Sequence, residues 1–484
     1  MTAEKADAIV IGAGLGGLTC AAILAKAGLR VLVLEKNQRV GGYAVSYTQR
    51  GHRFDIAVQA LGGCHRGGVI SNIIGEIHPE HDLEFLSCEP ARAYYLGNPE
   101  DPWLQTGTGV DSVEILSRRF PGCRRALLEC RRIWSGIYEE LERIGRSESG
   151  KAAFEFSRAF PFLARYGNST VREFLDSMGL PRKLQDLVAA RAGYCMLPPE
   201  RLSLVGFACA EMSFEQGAWV VKGGIGRLGR LLARAVERRG GAVKRRSKVT
   251  SIVVERGAVR GVRTQDGRRY HADLVALGSA VLPALEQSLE QPESLPHRYR
   301  QRLAAMELTG SYYIAYYRVP SQAVEGLFPN MEIREPLRSW GHPLSAGAYY
   351  VLIPSMVDST ASPHGSHCFC LSSPCPPRTI LGKGRRLSCR RALEGAVSHR
   401  FPQLMGRLSF LFDLGPEQLA SVTGNPWGSA YGWAQTPSQS GIRRLSLKTP
   451  ISGLHLAGHW TMPGGGIAGV VTSGRLCAET MLAK

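Results

Sequence analysis

The N-terminal segment contains the pattern that most constrains the fold of this chain. An apolar run from Ala8 to Ile11 leads into Gly12-Ala13-Gly14-Leu15-Gly16-Gly17, and a second apolar run ends at Glu35. This order predicts a β-strand, a tight turn, an α-helix and a second strand, which together form a dinucleotide-binding βαβ unit. The phosphates are expected at the N-terminus of the helix, where unpaired N–H groups and the helix dipole favour an anion.

The spacing assigns a role to individual residues of this motif. Gly12 permits the tight turn, Gly14 lets the backbone approach a pyrophosphate, and Gly17 lets the helix pack against the strand. Glu35 follows the motif at the expected distance of roughly 20 residues, so its carboxylate is predicted to accept hydrogen bonds from the ribose hydroxyls. A lone glycine motif is a weak signal, but strand, motif, helix, strand and acid in this order favour a nucleotide site over a simple glycine-rich turn.

A second pair of glycines follows the acidic residue. Lys36 leads to Gly41, Gly42 and Tyr43, and a short strand with a Phe-Asp pair comes next. A glycine turn lets main-chain N–H groups reach a pyrophosphate and a ligand that continues beyond it. This extension resembles the FAD-binding flavoproteins of the glutathione reductase and amine oxidase types, whereas nicotinamide-binding domains lack it. The resemblance favours FAD over NAD.

The C-terminal segment contains another glycine-rich turn. Gly458 and His459 follow an apolar run, and residues 463–470 include Gly466 and Ile467 ahead of a last helical pattern. In this superfamily such a helix directs its N-terminus at the pyrimidine edge of the flavin, where its dipole favours the reduced state. Together the two ends of the chain resemble the phytoene desaturase, carotenoid isomerase and retinol saturase group. His459 is a departure, because many members have an acidic residue at this position.

The resemblance implies a set of cofactor-binding residues at strand ends, turns and helix starts. They are Gly12, Ala13, Gly14, Leu15, Gly16, Gly17, Glu35, Lys36, Gly41, Gly42, Tyr43, Val249, Gly278, Gly458, His459, Gly466 and Ile467. Val249 is expected to pack beside the adenine. Some amine oxidases of the superfamily attach the flavin through a cysteine close to the C-terminal segment. Residues 425–450 contain no cysteine, so non-covalent FAD is predicted.

The patterns along the chain predict interleaved domains. Residues 1–65, 206–285 and 426–484 are assigned to an FAD-binding domain, and residues 66–205 and 286–425 to a substrate-binding domain. The first insertion has mostly helical spacing, and the second is β-rich and aromatic. The expected fold class is α/β, with a Rossmann-like FAD-binding domain of the glutathione reductase and amine oxidase type and an interleaved α+β substrate domain.

The resemblance also implies a reaction. A flavin exchanges a hydride by itself, so the protein has mainly to hold an apolar carbon against the ring and exclude water. We expect an FAD-dependent oxidoreductase that desaturates, saturates or isomerises carbon–carbon bonds of a long polyene or isoprenoid. The candidate pocket residues are Tyr316, Tyr350, Trp427 and Tyr431.

Two alternatives remain open at this point. One is an FAD-dependent dehydrogenase or amine oxidase of a specialised metabolite, although residues 296–382 contain no lysine of the kind that amine oxidases often place near the flavin. The other is a binding protein similar to Rab escort proteins, whose relatives share the first βαβ unit. The intact glycine turn at residues 464–466 argues against the second alternative.

Several other features receive simpler interpretations. A second glycine pattern at residues 224–229 is interpreted as a helix-packing turn rather than an NADPH site. His364, His367, Cys368 and Cys370 are interpreted as a strand and its loop, and no metal site is predicted. The 12 cysteines have no framework spacing and are expected to be buried thiols.

The chain is strongly basic, with 59 Lys and Arg residues against 41 Asp and Glu residues and a formal net charge of +18. Such a charge favours anionic partners. For an enzyme that acts on a polyene, contact with an anionic membrane surface is the more useful hypothesis to test. A basic surface that contacts only solvent explains the charge equally well. No nucleic-acid-binding motif accompanies the basic clusters. No signal peptide is recognised, so a cytoplasmic protein is expected, with peripheral membrane contact as an option.

Overall fold

The computed structural model describes residues 4–57, 60–96, 102–105, 108–146, 153–334 and 347–483. The strands of this part are β1 Glu4–Lys5, β2 Ala8–Ile11, β3 Val31–Leu34, β4 Ser46–Gln49, β5 His52–Asp55, β6 Phe85–Cys88, β7 Arg92–Leu96, β8 Trp103–Gln105, β9 Ala218–Val221, β10 Ala242–Lys244, β11 Val249–Glu255, β12 Ala258–Thr264, β13 Arg269–His271, β14 Val275–Leu277, β15 Ser311–Pro320, β16 Asn330–Arg334, β17 Ala348–Leu352, β18 Ser366–Cys375, β19 Ser409–Leu414 and β20 Leu454–Leu456. The helices are α1 Leu15–Lys26, α2 Val69–Ile77, α3 Gly109–Arg119, α4 Arg124–Arg146, α5 Ala153–Ala159, α6 Pro161–Tyr166, α7 Val171–Ser177, α8 Arg182–Val188, α9 Leu204–Ser213, α10 Gly226–Glu237, α11 Val281–Gln287, α12 His297–Ala305, α13 Lys383–Arg400, α14 Pro416–Thr423 and α15 Ile467–Leu482.

A five-stranded parallel sheet lies under the glycine motif, in the order β10-β3-β2-β14-β20. Its strands come from the start, the middle and the end of the chain. β2 and β3 are buried along their whole length, as expected for parallel strands that are covered on both faces. Helices α1, α10 and α15 share one hydrophobic core with this sheet, and the sheet β1-β13-β12-β11 contributes to the core on its other side.

A seven-stranded sheet in the order β19-β15-β18-β17-β16-β7-β8 forms the second layer. Side chains alternate between its two faces, as strand geometry requires. Tyr313, Tyr317 and Tyr349 point into a core shared with α13, whereas Tyr316 and Tyr350 line a large cavity. The alternation therefore separates neighbouring tyrosines into core and cavity residues.

The first insertion is mostly helical, as predicted, but it also contains strands β6, β7 and β8. β7 pairs with β16 in parallel and with β8 in antiparallel orientation, and β6 pairs with β9. Short strands such as these depend on distant partners, so their local sequence pattern is weak. Both insertions thus contribute to one sheet, while the exact domain boundaries remain a prediction.

The second glycine pattern is explained by packing. The N–H of Ile225 lies 3.1 Å from each carboxylate oxygen of Asp55, and the N–H of Gly226 donates to Ser46 Oγ at 3.0 Å. The donors at the start of α10 are therefore already used by side chains of the protein. A Cβ on Gly229 would lie 3.1 Å from Gly41 Cα, so this glycine allows the helix to approach the second glycine turn.

The predicted strand around Cys368 and Cys370 is confirmed as part of β18. Among the residues that the structure describes, no group of three or more His, Cys, Asp or Glu side chains is arranged to hold a metal ion. Within the same residues, no helix combines the length and the apolar character needed to cross a membrane.

Candidate active site

A cavity of about 780 Å³ runs between the five-stranded sheet, the seven-stranded sheet and the start of α15. Its walls include Gly12, Gly14 and Glu35 at one end and Tyr316 and Tyr350 at the other. The cavity is continuous, so the predicted dinucleotide end and the predicted substrate end belong to one site.

Glu35 is fixed at the nucleotide end by the backbone. Its Oε2 accepts a hydrogen bond from the N–H of Ala13 at 2.7 Å, and its Oε1 accepts one from the N–H of Asn37 at 2.8 Å. The side chain is nevertheless part of the cavity wall. A carboxylate oxygen can accept more than one hydrogen bond, so both oxygens keep capacity for ribose hydroxyls.

The first glycine motif divides into lining and packing residues. Gly12, Gly14, Leu15 and Gly16 line the cavity. Ala13 and Gly17 are not among the lining residues: Ala13 holds Glu35, and a Cβ on Gly17 would lie 2.4 Å from the carbonyl oxygen of Gly12. Gly17 is therefore required by the close contact of α1 with the β2 turn, as its predicted role demands.

The second glycine turn continues the wall. Gly41, Gly42 and Tyr43 all line the cavity, and the two glycines have φ values of +119° and +64°. The N–H of Gly41 donates to the carbonyl of Ala13 at 2.7 Å, which joins the two glycine turns. The Tyr43 hydroxyl donates to the carbonyl of Ser429 at 3.0 Å and thereby ties this turn to the C-terminal third of the chain.

Three further predicted residues also lie in the wall. Lys36 donates to the carbonyl of Ser421 at 2.6 Å, and partial burial lowers its pKa. Val249 begins β11 and lines the same cavity as Glu35 and Lys36. Gly278 follows β14, and a Cβ there would lie 2.7 Å from Gly17 Cα, so this residue permits the strand to pass under α1.

The turn from β20 to α15 forms the middle of the cavity. Gly458 and Gly466 have φ values of +100° and +84°, and both line the cavity together with His459 and Ile467. Gly466 is the residue before the first turn of α15, so the unpaired N–H groups of that turn lie at the cavity wall. These N–H groups can bind an anion, or the edge of a ligand on which negative charge develops.

His459 is held in its neutral form. Burial, together with the positive charge of Arg444, lowers its pKa to about 3. Its Nε2 lies 3.3 Å from Asn425 Nδ2, so the imidazole accepts this hydrogen bond. The side chain that replaces the acid expected from the resemblance is therefore an uncharged hydrogen-bonding group.

Arg444 is a residue of this region that the sequence did not single out. It is 1% exposed, and within the described residues its guanidinium donates to backbone carbonyls alone. These carbonyls belong to Tyr431, Trp433, Gln439, His459 and Thr461. The neighbouring Arg443 has the same residue type and nearly the same sequence context, so no local signal distinguishes the two.

The aromatic end of the cavity contains three of the four predicted pocket residues. Tyr316, Tyr350 and Tyr431 line the cavity, and burial raises the pKa of each of them well above 10. A Cβ on Gly465 would lie 2.5 Å from the Tyr431 ring, so this ring packs directly on the turn before α15. The hydroxyls stay protonated at neutral pH and can donate hydrogen bonds but cannot serve as bases.

The prediction for Trp427 is wrong. Its side chain is 44% exposed, and the residue is not part of the cavity wall. Trp427 lies in a short turn with a φ of +56°, which directs the indole outward while Gly428 and Ser429 approach Tyr43. The aromatic and glycine-rich composition of this segment could not reveal that direction.

A buried ion-pair network supports the aromatic end. Arg92 on β7 and Glu332 on β16 are 1% and 0% exposed and lie 2.9 Å apart, and Arg334 Nε lies 2.8 Å from the other oxygen of Glu332. The Arg92 guanidinium lies 4.0 Å from the centre of the Tyr194 ring and donates to the Tyr194 hydroxyl. Tyr194, which lines the cavity, was not predicted, because its role depends on a partner about 100 residues away in the chain.

The chain is similar to curated phytoene desaturases and to a prolycopene isomerase. It is 27% identical over 377 residues to the phytoene desaturase of Cercospora nicotianae, covering 75% of this chain and 60% of that protein. It is 23% identical to the neurosporene-forming phytoene desaturase of Cereibacter sphaeroides, covering 99% and 95% of the two chains. It is also 23% identical to the chloroplastic prolycopene isomerase of Arabidopsis thaliana, covering 99% and 82%. The predicted resemblance is thereby confirmed.

The fold is also found in solved structures. Wild-type putrescine oxidase bound to putrescine superposes with a TM-score of 0.68 at 16% identity, covering 100% of both chains. The expected α/β fold class with an FAD-binding domain is confirmed. The chain belongs to the flavin containing amine oxidoreductase family, whose model matches residues 15–374 and 392–482. This family match, together with the curated relatives, shows an FAD-dependent oxidoreductase.

Proposed function

We propose that this protein uses non-covalently bound FAD to desaturate, saturate or isomerise carbon–carbon bonds of a long hydrophobic polyene. The observation that carries the proposal is the continuous cavity, which joins the Glu35 end to an apolar and aromatic end formed by one face of the seven-stranded sheet. Ile314, Tyr316 and Leu352 belong to that face. The curated relatives named for phytoene and prolycopene support the substrate class.

The residues of the cavity wall fit FAD. Glu35 and Val249 would hold the adenosine, the turns at Gly14 and Gly42 the pyrophosphate, and the turn at Gly466 the flavin. At Gly12 and Gly17 an added Cβ would lie 3.2 Å or less from backbone atoms, so the glycines are required to form this cradle. When bound, FAD would supply the capacity to accept or donate a hydride.

The chain's own side chains would hold the substrate and exclude water. Tyr316 is 1% exposed and packs on Phe412 with ring centroids 4.3 Å apart, and Tyr350 contacts Tyr312 edge-on at 6.4 Å. Such a wall offers ring faces to a conjugated chain. Because burial keeps the tyrosine hydroxyls protonated, they would orient a substrate by donating hydrogen bonds rather than abstract a proton.

Turnover assays with the holoenzyme test the proposal. Polyenes such as phytoene and prolycopene are supplied in detergent to the oxidised and to the chemically reduced enzyme without oxygen, and products are separated by chromatography. Desaturation would bleach the oxidised flavin, saturation would reoxidise the reduced flavin, and isomerisation would change only the substrate. Reduction of the flavin by putrescine or another amine, without any polyene product, would contradict the proposal and support the amine oxidase alternative.

The absence of a covalent link is tested separately. Among the described residues, the cysteines of the cavity wall are Cys195, Cys209 and Cys370. Burial raises the pKa of Cys195 and Cys209 to about 12, so their thiolates are scarce at neutral pH. Acid precipitation of the holoenzyme is expected to leave all the flavin, with the mass of FAD, in the supernatant. Flavin that remains on a peptide after proteolysis would refute non-covalent binding.

A further inference from the structure

We infer that Arg444 is a positioning residue of the FAD site, which fixes the cavity wall around the start of α15 and places a positive charge there that favours the reduced flavin. This inference concerns the cofactor and does not depend on the polyene substrate. It rests on the contacts of Arg444, on the lack of a compensating carboxylate among the described residues, and on the short distance between Arg444 and the cavity wall.

The contacts of Arg444 connect two separate segments of the wall. Its Nη2 donates to the carbonyl of Tyr431 at 3.1 Å and also to the carbonyl of His459, and both residues line the cavity. Its Nε donates to the carbonyl of Thr461 at 3.1 Å. One planar guanidinium thus holds the segment before β20 against the turn after β20, in a geometry that only an arginine fork can satisfy.

The charge of Arg444 is not compensated by any carboxylate that the structure describes. In the described part of the chain, no Asp or Glu oxygen lies within the 4.0 Å of an ion pair with this guanidinium. The buried Arg92 and Arg191 differ, because they pair with Glu332 and Glu211. Burial without a counter-ion lowers the pKa of Arg444 to about 9, so the side chain is still charged at neutral pH.

Arg444 lies one residue layer behind the wall. Its Nε would be 3.6 Å from a Cβ on Gly464, which directly precedes the lining residues Gly465 and Gly466. The field of Arg444 reaches the cavity, because it contributes to the lowered pKa of the lining residue His459. Two-electron, one-proton reduction leaves a flavin with negative charge, and a nearby cation in a poorly solvated environment stabilises that form.

The test compares Arg444→Met, which removes the charge, with Arg444→Lys, which keeps it. The FAD content after gel filtration and the midpoint potential of the bound flavin are measured for both holoenzymes. Arg444→Met is expected to bind FAD at least about tenfold more weakly, because the charged hydrogen bonds that position the carbonyls of Tyr431, His459 and Thr461 are lost. The midpoint potential of its flavin is expected to be more negative. Arg444→Lys is expected to bind FAD more weakly but to keep a potential close to that of the wild type.

Arg443→Gln is the matched control. Arg443 also donates to backbone carbonyls, of Gly167 and Pro437, but it is only half-buried and neither of these partners lines the cavity. This variant is expected to retain the wild-type potential and FAD content. The role of the charge would be overturned if the flavin of Arg444→Met had the midpoint potential of the wild type. It would also be overturned if the potential shifted equally in Arg444→Lys and Arg444→Met.

A measurement on the wild type covers the case in which Arg444→Met does not fold. The imidazole of His459 is titrated by NMR in the oxidised holoenzyme, with His459→Gln used to assign its signals. An imidazole that remains neutral down to pH 4 is expected, because burial and the charge of Arg444 both disfavour its protonation. Ordinary titration near pH 6.5 would contradict the inference.

Discussion

At the scale of single residues, the site depends on side chains that are held by the backbone. Glu35 shows this most clearly, because both of its oxygens are anchored before any ligand is present. A group held in this way loses little conformational freedom on binding, so its hydrogen bonds to a ligand contribute more to affinity. The sequence predicted the carboxylate but not its anchors.

Replacing Glu35 by Gln is expected to weaken FAD binding by at least about tenfold. The amide can accept through only one oxygen, so the contact with Ala13 or Asn37 is lost along with charged hydrogen bonds to the ribose, each of which contributes about 1.5–3 kcal/mol. Titration of the apoprotein with FAD, followed by flavin fluorescence, measures the loss. Asp7→Asn, an exposed carboxylate bound to Arg30, is the control. A Glu35→Gln variant with wild-type affinity would show that the assigned role is wrong.

His459 is expected to make the protein less stable in acid. Its pKa is about 3 in the folded protein and 6.5 ordinarily, so below pH 6.5 the unfolded chain binds a proton that the folded protein does not. Stability therefore falls as the pH drops from 6.5 towards 3, by up to about 1.4 kcal/mol per pH unit.

The His459→Gln variant checks this directly. Its melting temperature should fall less between pH 7 and pH 5 than that of the wild type, measured with excess FAD. His364→Gln, at an exposed loop position, is the control. Parallel pH profiles for the wild type and His459→Gln would contradict the prediction.

At the scale of secondary structure elements, the crossing of α1 and α15 determines the shape of the nucleotide end. A Cβ on Gly474 would lie 2.2 Å from the carbonyl oxygen of Gly16, and one on Gly16 would lie 2.8 Å from Gly458 Cα. The two helices therefore meet through backbone atoms. This contact fixes the start of α15 relative to the first glycine motif.

Gly474→Ala is expected to destabilise the protein by about 1–3 kcal/mol, the usual cost of overpacking, and to weaken FAD binding because α15 must shift. Thermal unfolding with and without added FAD measures both effects. The control is Gly384→Ala in α13, where a Cβ meets no atom within 4 Å. That change should be neutral or stabilising by up to about 1 kcal/mol, since alanine favours a helix. Equal thermal stability of the two variants would show that the close contact between α1 and α15 does not determine the stability of the protein.

At the scale of the whole molecule, the net charge of +18 bears on access to a membrane-dissolved substrate. Arg230, Arg234 and Arg238 are exposed at helical spacing on α10 or at its end, next to the half-buried Arg227. We propose that basic surfaces of this kind contact anionic lipid. Each well-placed arginine contributes about 1 kcal/mol to such binding.

Sedimentation with liposomes is expected to show binding to anionic but not to neutral vesicles at low salt. Binding should fade as the ionic strength rises, because screening shortens the Debye length below about 10 Å. The triple variant Arg230→Gln, Arg234→Gln, Arg238→Gln should bind less than a variant with Arg298→Gln and Arg300→Gln on α12. Equal failure to bind either vesicle at low salt would refute membrane contact and favour a soluble substrate.

The sequence by itself determined the βαβ unit, the two further glycine turns, the fold class and FAD as the cofactor. These features are readable because each depends on residues close together in the chain, such as Gly12 with Gly17, or Gly466 with Ile467. Only the tertiary structure decided which tyrosines face the cavity, that Trp427 faces solvent, that Tyr194 lines the cavity, and that Arg444 holds carbonyls of two lining residues. Those outcomes depend on strand pairing and on carbonyls brought together from distant segments, and a one-residue change of register would have exchanged Tyr316 with Tyr317.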